Sequence, residues 1–521
     1  MIKKQKILII VFVVLFATLC AVYFAFIRPL LVTGSEDLPE REMLPGEVLI
    51  SPQLENIYIF SPLQRSSIQS IEVENEFGKY KVYRDSTDTF QLDGYEGIQF
   101  ESNAFSSLIV SAGTPTAMKR VGYDLTDEEL ANYGLTNPQA KWTVTSTTGE
   151  KYTMLVGDGL ITEAGYYVML EGRNAVYIVG TGIAETILRS PVAFIAPILT
   201  AGMTQSDYFL VDEFTIWHGE DLFVHVKRVP DSEKQNPEAI VEAALLYPST
   251  EIDGKTSYYR INENFYFEIL YSLYTLEASS VVEFLPDEET SAMYGLDEAA
   301  YTVSYKFKGY TFYIFVSELQ DDGYYYATSN LFGYTTICRI SPDSLYWLES
   351  DQFAWIFRSP FYEYITTIAR LTVKGDGVDV DFRLTHGKDE NGNNTLDVVE
   401  VNSNTSISNA NIKNFREYYK TIINVANKQY ADLSDEDVTA LTSDDSKLVM
   451  TMTYENLSGE SKVYKFYKYY ETSTGQISSG KIFATVDGAG EFYTSNDLVN
   501  KVLDSSKRVI AGLDIDAYGQ K

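Results

Sequence analysis

Seventy-three Asp and Glu residues in a chain of 521 make carboxylates the groups from which any chemistry must be drawn, and in three places they are bunched. Leu125-Thr126-Asp127-Glu128-Glu129 precedes Tyr133-Gly134-Leu135. Leu285-Pro286-Asp287-Glu288-Glu289 precedes Tyr294-Gly295-Leu296, and Leu433-Ser434-Asp435-Glu436-Asp437 precedes Thr439-Ala440-Leu441. Consecutive acids could attract a hard cation, because calcium takes oxygen ligands. The same spacing also starts a short helix: Thr126 with Glu129 fits a capping box, and acids in a first turn complement the helix dipole. Tyr-Gly-Leu then reads as the stop, with Gly in the left-handed conformation. Capping is the reading that explains why the motif recurs.

A second set of oxygen ligands lies between residues 389 and 400. Asp389, Asn391, Asn393, Asp397 and Glu400 echo the ligand offsets of a calcium loop, although Asn394 stands where its sharp turn wants Gly. Calcium is the one cofactor this spacing suggests, and a polar hairpin loop accounts for the same residues. His218 and His225 flank one turn, which could bring them together as zinc ligands with a carboxylate. Cys338, inside the apolar run 336–340, reads as a buried small hydrophobe. The chain has no His-Glu-x-x-His, no Gly-x-Ser-x-Gly and no phosphate loop ending in Gly-Lys-Ser/Thr. With three His in all, a carboxylate pair is the remaining acid–base option, and no spacing singles out two of them.

The net charge of −32 and pI near 4.5 argue against a nucleic-acid partner, which needs a basic face. Hydrophobic and aromatic contents of 45% and 14% supply packed cores. Forty Tyr among many Val, Ile and Thr favour sheet. Two Cys, one of them Cys20 in an N-terminal apolar run, exclude a disulfide framework outside that run.

That apolar run, Ile7 to Ile27, follows Lys3, Lys4 and Lys6 and is long enough to cross a bilayer as a helix. The lysines place the N-terminus in the cytoplasm and the bulk outside. The expected organisation is a cytoplasmic tail (1–6), an uncleaved signal anchor in the cell membrane (7–27) and a Pro/Gly-containing linker (28–56). Three related α+β units follow, at 57–195, 205–356 and 362–510, the last divergent. Each is expected to hold a mostly antiparallel sheet with one or two helices. The acidic motifs set the register, with Leu125, Leu285 and Leu433 at corresponding points. Helices are expected near 102–111, 262–276 and 411–425, each just before its acidic motif.

Leu125-x-Asp127-Glu128-Glu129, Tyr133-Gly134-Leu135-x-Asn137-Pro138-x-Ala140, Val156-Gly157-Asp158, Gly165-Tyr166-Tyr167-Val168 and Val176-Tyr177-Ile178-Val179 together resemble domain-of-unknown-function family 4340. The likeness is partial in the second unit (Tyr294-Gly295-Leu296, Gly323-Tyr324-Tyr325) and faint in the third. It implies a bacterial envelope protein with an N-terminal anchor. Some relatives resemble auxiliary subunits of gliding-type ABC transporters, which suggests permease and ATPase subunits as partners. The family offers no catalytic residue to carry over. The expectation is a non-enzymatic, membrane-anchored extracytoplasmic binding or scaffold protein. The alternatives are an envelope-polymer hydrolase with a carboxylate pair and a calcium-stabilised surface or adhesion protein.

Overall fold

The computed structural model describes residues 42–50, 56–162, 164–200, 202–234, 240–252, 255–361, 363–390, 392–402 and 407–518. The apolar stretch 7–27 and its lysines lie outside them. Among the described residues no helix is long and apolar enough to cross a membrane. The chain divides into two compact units, 1–197 with 280–282, and 198–279 with 283–521.

The first sheet is built from β1 (Val48–Leu49), β2 (Ile57–Tyr58), β3 (Ile68–Asn75), β4 (Gly78–Arg84), β5 (Phe90–Leu92), β6 (Thr116–Tyr123), β7 (Ala140–Ser146), β8 (Lys151–Gly159), β9 (Gly165–Leu170) and β10 (Ala175–Gly180). Its helices are α1 (Ser102–Gly113), α2 (Asp127–Ala131) and α3 (Thr181–Leu188). The second sheet holds β11 (Glu213–His218), β12 (Asp221–Arg228), β13 (Ala243–Tyr247), β16 (Ser280–Phe284), β17 (Tyr301–Phe307), β18 (Tyr310–Val316), β19 (Tyr325–Ser329) and β20 (Thr336–Ile340). A separate hairpin is formed by β14 (Ser249–Ile252) and β15 (Lys255–Tyr258), and the helices are α4 (Glu263–Tyr274), α5 (Glu288–Met293) and α6 (Gln352–Trp355). The third sheet comprises β21 (Ile368–Gly375), β22 (Val378–Lys388), β23 (Asn394–Val401), β24 (Asn427–Tyr430), β25 (Leu448–Asn456), β26 (Ser461–Tyr470), β27 (Ile477–Val486) and β28 (Ala489–Ser495), with α7 (Ile412–Ile423), α8 (Asp435–Thr442) and α9 (Asn496–Ile510).

The three sheets share one strand order. It runs β5-β4-β3-β7-β8-β9-β10-β6 in the first, with β2 and β1 added beyond β6. It runs β13-β12-β11-β17-β18-β19-β20-β16 in the second and β23-β22-β21-β25-β26-β27-β28-β24 in the third. In each, a hairpin and a third strand form one edge and the chain passes through a long helix. The next strand takes the far end of this eight-strand order, an edge in the second and third sheets and flanked by β2 in the first, and a four-stranded meander fills the gap after the acidic helix. The meander pairings are antiparallel, as short connections require. The mostly antiparallel α+β architecture in three sheet modules is the expected one.

Strand alternation sends one set of side chains toward the long helix. In the first module Ile71, Val73, Trp142, Val144, Met154 and Val156 pack with Phe105, Leu108 and Ile109 of α1. In the second, Phe214 meets Tyr266 of α4 and Trp355 at 5.9 Å each. In the third, Phe415, Tyr418 and Ile422 of α7 share a core with Val499, Val502 and Leu503 of α9. Asn262 and Asn411 cap α4 and α7 by accepting from Phe265 N and Asn414 N, the positions where the sequence starts those helices.

One boundary differs from expectation. Residues 42–50, read as linker, are part of the first module. Leu49 pairs with Ile57, and the Glu47 carboxylate is buried against Arg120 at 2.7 Å. Pro45-Gly46 looked like linker composition, but a buried acid with a matching Arg fastens the segment down.

Candidate functional site

The acidic motifs are helix caps. Thr126 Oγ1 accepts from Glu129 N (3.3 Å) while Glu129 Oε2 accepts from Thr126 N (2.8 Å). Ser434 and Asp437 repeat this box at 3.2 and 3.1 Å. The bonds from Thr126 hold the Glu129 carboxyl below its ordinary range, and those from Ser434 do the same for Asp437. In the second module the cap moves one residue along, and Asp287 Oδ1 accepts from Thr290 N at 2.8 Å. The exits of the first two also match. Leu135 N bonds Leu130 O at 3.1 Å and Leu296 N bonds Ser291 O at 3.0 Å, with Gly134 and Gly295 at φ of 72° and 68°.

What lies beneath these helices differs. Leu130 and Leu135 are buried with Val176, and Leu155, Tyr167 and Met169 pack around them. These residues alternate with core-facing Met154, Val156, Val168 and Leu170, so this small cluster occupies the outer face of the sheet, opposite α1. Under α8, Leu441 is buried with Tyr467, Tyr469 and Phe483. In the second module the shared exit bonds put Ser291 where Leu130 stands, and no residue of α5 is buried. Met293 is 76% exposed. The ring pair is kept nonetheless: Tyr133–Tyr167 and Tyr294–Tyr326 both lie 4.7 Å apart.

The rest of the outer face diverges more sharply. Registers align Glu74, Lys141 and Leu155 across the first sheet, Trp217, Thr302 and Phe315 across the second, and Lys374, Thr451 and Lys465 across the third. One pair further along, Thr143 faces Thr153, Ser304 faces Tyr313 and Thr453 faces Val463. The first and third faces are tied by cross-strand ion pairs, Glu74–Lys79 at 3.1 Å and Arg370–Asp381 at 2.8 Å. The second carries rings. Trp142, Trp347 and Trp355 are fully buried, whereas Trp217 is half-buried on this outer face and Tyr313 is 39% exposed. Beside them Glu213 accepts from His225 at 2.7 Å and pairs with Lys227 at 3.4 Å. Burial works to raise the Glu213 carboxyl, but the His225 and Lys227 contacts outweigh it and hold it low. Thr215 and Ser304 share a hydroxyl bond of 2.6 Å.

The other candidate ligands have local partners. Asp389 closes the β22–β23 hairpin by accepting from Asn393 N at 2.8 Å and from its amide at 3.1 Å. Asp397 accepts from Thr395 at 2.7 Å, Glu400 is an exposed residue of β23, and Asn391 lies outside the described residues. Among the described residues no three of His, Cys, Asp and Glu come together as metal ligands would. His218 bonds Leu348 O at 2.9 Å and stacks on Phe223, while His225 has Glu213. The turn does not make them partners. Burial pushes the Cys338 thiol up to about 12, which suits a packed hydrophobe.

Sequence reasoning missed Glu47 and the ring-bearing face. Glu47 accepts from Tyr177 at 2.8 Å as well as from Arg120, and burial pushes that phenol up to about 12. The ring face had a signal: Tyr310-Thr311-Phe312-Tyr313-Ile314-Phe315 places aromatics on both sides of one strand. A strand with one solvated face shows polar residues at every second position.

These features define a tandem of antiparallel sheet modules, alike in topology and in helix capping, that differ in what their outer faces present. Residues 91–299 match the family described as Domain of unknown function (DUF4340). That span holds the acidic motifs of the first two modules and none of the third, in keeping with the gradient of likeness read from the sequence. No curated protein and no solved structure matches the chain.

Proposed function

We propose that the protein is a membrane-anchored extracytoplasmic binding or scaffold subunit, assembled with an ABC-type transport or envelope complex. The observation that carries this reading is one strand order used three times with three different outer faces. Repetition of a rigid sheet with variable faces is how a scaffold offers several surfaces from one chain. The tether supports the same role. The apolar run 7–27 and its preceding lysines form the anchor, the three modules are related repeats, and the chain enters the first module through Glu42, whose carbonyl accepts from Arg120 at 2.7 Å.

Mild-detergent purification of the tagged full-length protein, followed by mass spectrometry, tests the proposal. Permease and ATPase subunits are expected to co-purify in stable ratio. Recovery of the protein free of any membrane partner contradicts it.

A further inference from the structure

The outer face of the second sheet carries the partly exposed rings of Trp217, Tyr313 and Phe315. At the register position of Trp217 the other modules place the exposed Glu74 and Lys374, and at that of Phe315 they place Leu155 and Lys465, so at the Trp217 position the topology is satisfied by charged, solvated side chains. Trp217 is there for another reason, and Phe315 stands with it. They flank Thr302 on adjacent strands, two inter-strand steps or ~10 Å apart. Tyr313 lies beside Phe315 with its ring nearly parallel, 6.2 Å between centroids and 12° between planes. Between and beside the rings stand the hydroxyls of Thr302, Ser304 and Thr215.

We infer that this face is a platform for an extended, uncharged glycan, a ligand class that rests on the extracytoplasmic binding role proposed above. A pyranose ring has a C–H face that settles on an aromatic face, whose quadrupole is negative above the ring. Its hydroxyls point outward in the ring plane, where Thr302, Ser304, His225 and Lys227 can exchange hydrogen bonds with them. Rings two strands apart address alternate sugars of an extended chain. The mixture matters: an apolar protein surface laid here would strip water from the Thr302 hydroxyl and from the charged Glu213–Lys227 pair, at a cost in free energy. Charge makes the next selection. Glu213 is matched by Lys227 and His225, so the ring rows carry little net charge. A polyanion is opposed by a chain of −32.

The test is affinity electrophoresis and calorimetry of the full-length protein in detergent, with cellohexaose and chitohexaose as neutral probes and polygalacturonate as the acidic one. At least one neutral oligosaccharide is expected to bind. Trp217→Ala and Tyr313→Ala should each weaken binding at least tenfold, while Glu74→Ala and Lys374→Ala leave it unchanged. Trp217→Phe keeps a ring, retains most of the binding and guards against a folding artefact. Binding of no neutral probe, binding of polygalacturonate alone, or wild-type affinity in both alanine variants overturns the inference. Self-association through this face, lost in Trp217→Ala with no glycan bound, overturns it as well. Absent glycan binding with transporter subunits still co-purifying removes this inference and leaves the scaffold role standing. Glycan binding without such partners does the reverse.

Discussion

Over the first sheet, α2 closes on Leu130, Leu135 and Val176; over the second, α5 carries Ser291 at the position of Leu130 and buries none of its residues. Their entrances and exits are nearly the same, since both begin with a side-chain oxygen capping a backbone N–H and end with a Gly at positive φ. The contrast separates two demands on a sequence. A cap needs one short polar side chain at the right place, so it survives repetition. A buried seat needs several apolar residues from different strands to agree, and it is lost as soon as one becomes Ser. With its helix loosely seated and its neighbouring strands lined with rings, the second module has exchanged internal packing for surface.

The largest expected effect tests how firmly the first module is closed. Glu47→Ala leaves Arg120, only 9% exposed, without its carboxylate. Stranding a buried charge costs about 3–5 kcal/mol, so chemical denaturation should show the first unit unfolding well before the second. The helix seat gives the next test. Leu130→Ala should cost about 2–3 kcal/mol, whereas Ser291→Ala should stay within about 0.5 kcal/mol. Equal effects at the two positions would mean that α5 is seated after all.

The caps should respond alike where the seats do not. Thr126→Ala and Ser434→Ala are each expected to cost about 1 kcal/mol, read from melting temperatures. Their acids add a pH dependence. The folded-state pKa of Glu129 is depressed, chiefly by the bond from Thr126 N, and that of Asp437 chiefly by the bond from Ser434 Oγ. A depressed carboxyl contributes stability above its unfolded pKa, and that contribution is lost as pH falls through the folded value. Melting followed from pH 6 downward should therefore show a component below pH ~4 that shrinks in Glu129→Gln, whose amide still completes the box, and keeps the Asp437 share. The smallest expected effect is with calcium. Because both Asp389 oxygens are engaged by Asn393, calcium and chelator should leave the melting temperature unchanged; a reversible rise would restore the calcium loop.

Much of this architecture was legible because its signals are local. The Leu-x-Asp-Glu-Glu motif marks a cap wherever it occurs, and the apolar spacing of Phe105, Leu108 and Ile109 marks the buried side of α1. The strand order was not legible. No local signal tells β6, β16 and β24 to take the far end of the shared order, since that depends on which side the preceding helix leaves open. Glu47 was hidden for a related reason: its partner Arg120 is 73 residues away, and Pro45-Gly46 beside it signals a turn whether or not the turn is buried. Trp217 carries no local sign of exposure, since a lone Trp in a strand has the pattern of a core residue such as Trp142. Only the register, which sets Trp217 beside Thr302 and not above α4, reveals the outer face.

If the second module's outer face is the surface presented to a ligand, its rings are covered where that ligand is present. Hydroxyl-radical labelling in intact cells, compared with the purified full-length protein, tests it most directly. Trp217, Tyr313 and Phe315 are predicted to be protected in cells, while Val463 of the third module and Phe77 of the first label equally in both. Equal labelling of the second-module rings in cells and in solution would contradict the account.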